Sequence, residues 1–221
     1  MLYVVATPIG NLDDITLRAL EVLKSVDLIA AEDTRHSGNL LRHFEIRKPL
    51  VSYHEHNEAM RTAELSERLV RGENIALISD AGMPALSDPG GRLIRACIER
   101  GLPYTIIPGA SAILTALTGS GFSLDQFCYR GFLPPKSGGR ERELRAAAER
   151  DETTVFFESP HKILKTLAAC AEIMPERQLC VARELTKKFE EFRRGTAAEL
   201  IAHYEAHPPK GEITLVIAGK T

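Results

Sequence analysis

Short, mostly apolar runs recur through the first half of the chain, at Leu2 to Thr7, Asp27 to Ala31, Leu50 to Tyr53, Asn74 to Ser79 and Tyr104 to Ile107. Their length and content predict strands. Between them the apolar period changes to that of a helix: Ile15, Ala19, Val22 and Val26 fall on one helical face, as do Leu93, Ile94, Cys97 and Ile98, with Gly101 closing the second helix. Strands alternating with helices predict a mostly parallel sheet covered on both faces.

The pattern changes at "LTALTGSGFS", residues 114–123, where Gly119 and Gly121 predict a hinge and hence two domains, 1–118 and 119–221. Strands are expected beyond it at Phe127 to Leu133, Thr153 to Glu158, Leu179 to Glu184, Phe189 to Arg194 and Ile213 to Gly219. Only "LTKK" separates the third and fourth, too short for the crossover that a parallel pair requires, so the second sheet should be mixed. "PPKSGGRERE", residues 134–143, reads as a charged loop.

Composition narrows the class. The chain has 221 residues, of which 44% are hydrophobic and 26% charged, enough for one large or two smaller cores of a soluble protein. No apolar run approaches the roughly 20 residues of a membrane helix, and Met1 leads into a strand with no basic segment or cleavage site, so a cytoplasmic location with no membrane partner is expected. Cys97, Cys128, Cys170 and Cys180 are scattered, which argues for reduced thiols and against a zinc site or disulfide framework. A net charge of -2 neither demands nor excludes a nucleic-acid partner.

Three strand ends carry Gly/Pro-rich loops: Thr7 to Asn11, "ISDAGMPALSDPG" at 78–90, and Pro108 to Ser111. Ser87-Asp88-Pro89 is a helix start, with Asp88 as N-cap and Pro89 as the first helical residue. Asp80 follows its strand directly, where no helix needs capping, and Gly82 with Pro84 forces a compact turn, so Asp80 is the better functional candidate. In an open parallel sheet ligands bind beyond the carboxyl ends of the strands, where the three loops are expected to converge. No dinucleotide fingerprint or P-loop motif occurs, which disfavours dinucleotides and nucleoside triphosphates. "HEH" at 54–56 would place His54 and His56 on one side of an extended segment, but without a third ligand no metal site is expected.

The segments "LYVVATPIGNLDDITLRALEVLKSVDLIAAEDTRHS", "SYHEHNE", "ISDAGMPALSDPG", "PGAS", "GFLP", "FFESPHKI", "RELTKKFEE" and "KGEITLVI" resemble, in order and over nearly the whole chain, the small-subunit ribosomal RNA methyltransferase I family of the tetrapyrrole methylase superfamily. The resemblance implies two α/β/α domains, the first forming the acceptor side of a cleft and the second completing a site for S-adenosylmethionine within it. It also implies a homodimer and 2'-O-methylation of a cytidine ribose in the decoding centre of 16S rRNA. By the same resemblance Asp80, Gly82, Met83, Pro84, Pro108, Gly109 and Ser111, with Phe132, Ser159 and Pro160, surround the cofactor, and Thr7 to Asn11 floors the acceptor site. Two departures stand out. Met83 replaces a usual Thr, and the chain stops at Thr221 where family members often continue.

Methyl transfer to a hydroxyl needs in-line alignment and a base, or a cation that stabilises the developing alkoxide. Glu184 and Lys187 in "RELTK" and Asn11 are the expected catalytic residues, ahead of Glu158 and His161 in "FESPH" and of Glu32 and Asp33. Plainer readings compete: Glu184 and Arg183 as surface ion pairs, His161 and Ser111 as helix caps, Phe132 as a core residue. For RNA, Arg35, His54, His56, Lys136 and Arg140 are the candidates. Glutamates interleaved among the basic residues predict weak binding to free RNA and recognition of the assembled 30S particle. Two rivals stay open: a tetrapyrrole methyltransferase, and a non-catalytic cofactor-binding module.

Overall fold

The computed structural model describes residues 1–220. It divides into two compact units, Met1–Ser111 and a second beginning at Ala112.

In the first unit five strands form one parallel sheet: β1 (Leu2–Val5), β2 (Leu28–Ala31), β3 (Leu50–Ser52), β4 (Ile75–Ile78) and β5 (Tyr104–Ile107), in the order β3-β2-β4-β1-β5. The central strands β2 and β4 are buried throughout, whereas the edge strands β3 and β5 are part-exposed, as a sheet covered on both faces requires. Alternate residues serve opposite faces. Val5, Ile29, Ala31, Ala76 and Ile78 pack with α1 (Leu17–Ser25) and α2 (Thr34–His43); Leu2, Val4, Leu28, Ala30, Ile75 and Leu77 pack with α3 (Glu58–Val70) and α4 (Gly91–Glu99). Thr16 caps α1 through a hydrogen bond from the Ala19 N–H, and Asp33 caps α2 through one from the Arg35 N–H. Ile98, expected on the inner face of α4, points outward; Leu93 and Cys97 alone make that seam fully buried.

The second unit holds a mixed sheet, β6 (Phe127–Phe132), β7 (Thr153–Glu158), β8 (Leu179–Arg183), β9 (Glu191–Gly195) and β10 (Ile213–Ile217), in the order β6-β7-β10-β8-β9. Only β6 and β7 are parallel; β10 runs antiparallel to both β7 and β8, and β8 and β9 form an antiparallel hairpin. Helices α6 (Ser137–Ala148), α7 (Ile163–Ile173) and α8 (Ala197–Ala206) cover one face through Leu144, Leu167, Cys170, Leu200 and Tyr204. A capping box between Thr196 and Glu199 starts α8. No helix among the described residues is long and apolar enough to cross a membrane.

Two sequence expectations require correction here. The glycines read as a hinge belong to the second unit: α5 (Ala112–Ser120) contains Gly119, whose bare Cα lies against the Phe192 ring of β9, and Gly121 ends the helix with φ +74°. The division therefore falls between Ser111 and Ala112, before α5, and not between residues 118 and 119. The stretch read as a charged loop is the first half of α6, whose inner face of Arg140, Leu144 and Ala147 was obscured by Gly138, Gly139 and the arginine itself.

Gly119→Ala tests the α5 contact. In an ordinary helix interior the exchange gains about 1 kcal/mol. Here the new methyl meets Phe192, and a net loss of about 1–3 kcal/mol in denaturant unfolding is expected, recovered in part when Phe192→Leu is added.

Candidate functional site

The first unit's topology creates a place for a ligand before any side chain is considered. From β1 to β2 to β3 the chain steps outward with α1 and α2 on one face; it then reverses, and α3 and α4 carry it back through β4 to β5 across the other face. β4 thus lies between β2 and β1, whose following helices leave on the face opposite to its own. Connections diverge above such a point and leave a crevice at the carboxyl ends of the strands.

Four connections meet there. Thr7, after β1, and Gly82, after β4, exchange reciprocal backbone hydrogen bonds of 2.9 and 3.1 Å, and the Thr7 hydroxyl donates to the Ser79 carbonyl at 3.2 Å. Gly82 has φ +76°, and a Cβ on it would lie 3.4 Å from Ile9 and 3.7 Å from the Ala110 carbonyl. A Cβ on Gly109 would stand 2.9 Å from the Ala6 methyl, so the loop after β5 closes on the loop after β1. The loop after β2 joins through its backbone, the Asp33 N–H donating to Asp80 Oδ1 at 3.0 Å. The connection after β4 holds two non-glycine residues in the left-handed region, Ala85 and Ser87, each at φ 68°, a local strain that packing must sustain.

Carboxyl groups collect at this crossing. Burial raises the pKa of Glu32, with the Asp80 charge adding to it. Burial likewise pushes Asp88 up to about 6, helped by the charges of Glu32 and Asp80 and opposed by a hydrogen bond from Ser79. At Glu32 and Asp88 a bound positive charge would favour the ionised forms.

Asp88 was expected to cap α4, and this is corrected. The N-cap is Gly90, at φ +140°, where a Cβ would meet Leu77 at 2.9 Å. The carboxylate at the start of α4 comes from α3: Glu58 Oε1 accepts the Gly90 N–H at 3.1 Å and the Tyr53 hydroxyl at 3.3 Å. Glu58 thus satisfies the helix and releases Asp88 to the acid cluster. Ser-Asp-Pro concealed this; the glycine pair that follows, an odd choice inside a helix begun by proline, was the available sign.

The other expected residues of this unit are placed as follows. Pro84 is buried, and Met83 packs against the core under α3 and α4. Pro108 and Gly109 are exposed, and Ser111 immediately precedes α5. Asn11 is an exposed cap whose side chain accepts the Asp13 N–H at 3.1 Å. Arg35, its side chain 91% exposed, pairs with Asp33 at 3.0 Å, and the guanidinium holds that carboxyl down to about 2. The "HEH" segment is a helix-initiating turn and not an extended strand, since the Asn57 and Glu58 N–H groups both donate to the His54 carbonyl at 2.9 Å. The His54 ring pairs with the Asn57 amide at 3.1 Å, its Nδ1 is buried without a partner, and the exposed His56 ring stands 5.9 Å away edge-on.

In the second unit Phe132 is 64% exposed, with its ring 5.3 Å from that of Phe157, so it is not the core residue that its strand position allowed. Ser159 accepts the His161 N–H at 3.3 Å, so Ser159 and not His161 opens the turn into α7, and half-buried Pro160 lies within that turn. Glu158 is buried and structural, bonded by the Thr166 hydroxyl at 2.5 Å. Glu184 and Lys187 form a tight unit in the β8–β9 connection: the Lys187 ammonium reaches Glu184 at 3.0 Å and Glu212 at 2.7 Å, and the Glu212 N–H donates to Glu184 at 3.1 Å. Burial opposes both charges, yet these bonds prevail, lowering the Glu184 pKa and raising that of Lys187. Lys187 is thus a fixed cation. Glu184 and Thr186 hold φ of 51° and 64°, and bare Gly211 makes room for the Glu184 side chain. Lys136 is exposed, whereas Arg140, expected on an exposed RNA-facing surface, is buried on the inner face of α6 because it continues the seam of Leu144 and Ala147.

A parallel unit with acid-bearing loops at its reversal point, joined to a mixed unit, is the architecture of an α/β methyltransferase class. The family model described as Tetrapyrrole (Corrin/Porphyrin) Methylases matches residues 1–201, and the chain belongs to that family, within its ribosomal RNA small subunit methyltransferase I branch. It is 51% identical to the "Ribosomal RNA small subunit methyltransferase I" of Synechocystis sp. over 222 residues, covering 100% of this chain and 80% of that protein. It is 50% identical to the protein of that name from Haemophilus influenzae, covering 100% of this chain and 79% of the relative. Among solved structures, uroporphyrin-III-C-methyltransferase from Thermus thermophilus shares the fold with a TM-score of 0.68 at 24% identity, over 98% of this chain and 93% of that one.

The acid cluster gives a signed pH dependence. Because folding raises the Asp88 pKa, its charged form is penalised only in the folded state, and the penalty grows as pH rises from about 4 through about 6. Asp88→Asn is therefore expected to be more stable than the parent above pH 6, by on the order of 1 kcal/mol after solvent screening, with the difference vanishing below pH 4. Thermal unfolding across pH 4–8 measures it.

Proposed function

We propose that this protein transfers the methyl group of S-adenosylmethionine to the 2'-hydroxyl of a cytidine ribose in the decoding centre of 16S rRNA, acting in the cytoplasm as a homodimer on the assembled 30S subunit. The observation that carries the reading is the similarity, over 100% of this chain, to relatives named as small-subunit ribosomal RNA methyltransferases.

The crevice fits such a cofactor on its own chemistry. Asp80, Glu32 and Asp88 supply negative potential for a sulfonium, and Gly82 and Gly109 let backbone approach without Cβ atoms. In this reading Asp80, Gly82, Met83, Pro84, Pro108, Gly109 and Ser111 hold it, with Phe132, Ser159 and Pro160 of the second unit as further contacts. Bound there, S-adenosylmethionine supplies an electrophilic methyl group.

The chain's own residues orient the acceptor and manage its proton. In this reading Lys187, kept charged by Glu184 and Glu212, stabilises the developing alkoxide, and Glu184 acts by holding that ammonium in place. Glu184 is a poor proton acceptor in this state. Asp88, near pH 6, is matched to accept a proton at neutral pH. Asn11 borders the acceptor and Arg35, His54 and His56 meet RNA.

The test is transfer of tritiated methyl to 30S subunits lacking the modification, beside naked 16S rRNA, with the product mapped by resistance to alkaline cleavage. Label at one cytidine of the 30S particle is expected, with Asp80→Asn raising KM for the cofactor about tenfold and Lys187→Met lowering kcat by roughly 10²–10³. Cofactor binding without RNA labelling, or labelling of a tetrapyrrole precursor instead, would overturn the reading.

A further inference from the structure

Helix α6, like α7 with its N-cap Lys162, begins without a side-chain cap. Its N-cap is Lys136, which makes no side-chain hydrogen bond, and no acidic residue occupies its first turn. A cation at the positive end of a twelve-residue helix is unfavourable, and lysine is a poor cap. The N–H groups of Ser137, Gly138 and Gly139 have no partner among the described residues, the first bond of the helix running from the Arg140 N–H to the Lys136 carbonyl at 3.0 Å. Nothing lies within 4 Å of where a Gly138 Cβ would stand, so the turn is open to an approaching group.

An independent feature points the same way. Arg140 is only 9% exposed, yet its guanidinium makes no hydrogen bond or ion pair among the described residues. Its Nε is sealed from solvent without a partner. The carboxylate one turn on, Glu143, is taken by Arg130 at 2.9 Å. As the fourth residue of α6, Arg140 carries a side chain that leans back along the helix toward its first turn, the direction that helical geometry imposes.

We propose that the N-terminal turn of α6 is a phosphate-binding subsite in which the Ser137–Gly139 N–H groups, the Lys136 ammonium and the Arg140 guanidinium bind one phosphate of the RNA substrate. The arrangement joins a helix dipole, unpaired backbone donors and two cations, one of them a guanidinium whose Nε lacks a partner and which can fork onto phosphate oxygens. Bare Gly138 leaves room for the phosphate, and Gly139, with Pro134 3.0 Å from where its Cβ would stand, keeps the turn tight. The choice of RNA as the source of that phosphate rests on the function proposed above; the subsite itself does not.

The test uses Gly138→Asp, which puts a carboxylate where the phosphate would bind and suits the helix start, so the protein should fold with unchanged or higher Tm. Inorganic phosphate should raise the Tm of the parent, and Gly138→Asp should lose that shift. In parallel, the salt dependence of binding to a labelled single-stranded 16S rRNA fragment and to 30S subunits is measured. Loss of one phosphate contact lowers the slope of log K against log salt by about 0.7 for a single strand. Arg140→Lys, which retains charge without the fork, should show an intermediate loss in both arms. No Tm response of the parent to phosphate, with an unchanged slope in Gly138→Asp, overturns the subsite. A lost phosphate response with an unchanged slope overturns RNA as its ligand and identifies a free-anion site. Failure of methyl transfer to rRNA would sink the function above and leave the phosphate arm, which contains no RNA, to stand or fall alone.

Discussion

The loop edge of the first unit depends on one short backbone contact, the reciprocal hydrogen bonding of Thr7 and Gly82. It joins the connections after β1 and β4, two neighbouring strands whose helices leave on opposite faces of the sheet. The contact is possible because Gly82 adopts a left-handed conformation and because Pro84 and buried Ile9 brace the turns beside it. With the two loops fixed, Asp80 is held where its carboxylate receives the Asp33 N–H, and the loop after β2 is fixed in turn. Local geometry propagates into electrostatics: the Asp80 charge adds to burial in raising the pKa of Glu32, and the charges of Glu32 and Asp80 do so at Asp88.

The two units carry contrasting electrostatics. The acid cluster of the first has excess negative charge and carboxyls whose ionised forms are disfavoured. In the second, Glu184, Lys187 and Glu212 form a neutralised network that fixes a cation. Both lie on connections with non-glycine residues in the left-handed region, at Ala85 and Ser87 and at Glu184 and Thr186. Such conformations persist only where surrounding contacts over-determine them. The Thr186 N–H bond to Glu190 at 2.7 Å and the Glu212 N–H bond to Glu184 do so for the hairpin.

Much of the fold was legible because strand identity depends on local apolar runs. All ten strands among the described residues fall where such runs predict them, and the four residues of "LTKK" sufficed to give the second sheet an antiparallel hairpin. What the sequence concealed depends on partners distant along the chain. Asp88 reads as a cap until Glu58, 32 residues before Gly90, is seen to fill that role. Gly119 reads as a hinge until Phe192 of β9 is placed against it. Arg140 reads as surface charge because nothing local shows that its helical face turns inward. The Gly/Pro loops were visible as loops; that they join through Thr7–Gly82 and Asp33–Asp80 was not.

The position of β10 bears on the order in which the chain acquires structure. The first sheet is complete once residue 107 exists, with every crossover closed locally. The second has its last strand in the centre: Ile213–Ile217 is the sole link between the β6–β7 pair and the β8–β9 hairpin. Until that segment is made, β7 and β8 present open inner edges, apolar and able to pair with other chains. Emerging from synthesis, the first unit has all its strands before the second is begun, while the second remains dependent on β10 and exposed to misassembly until that strand is made.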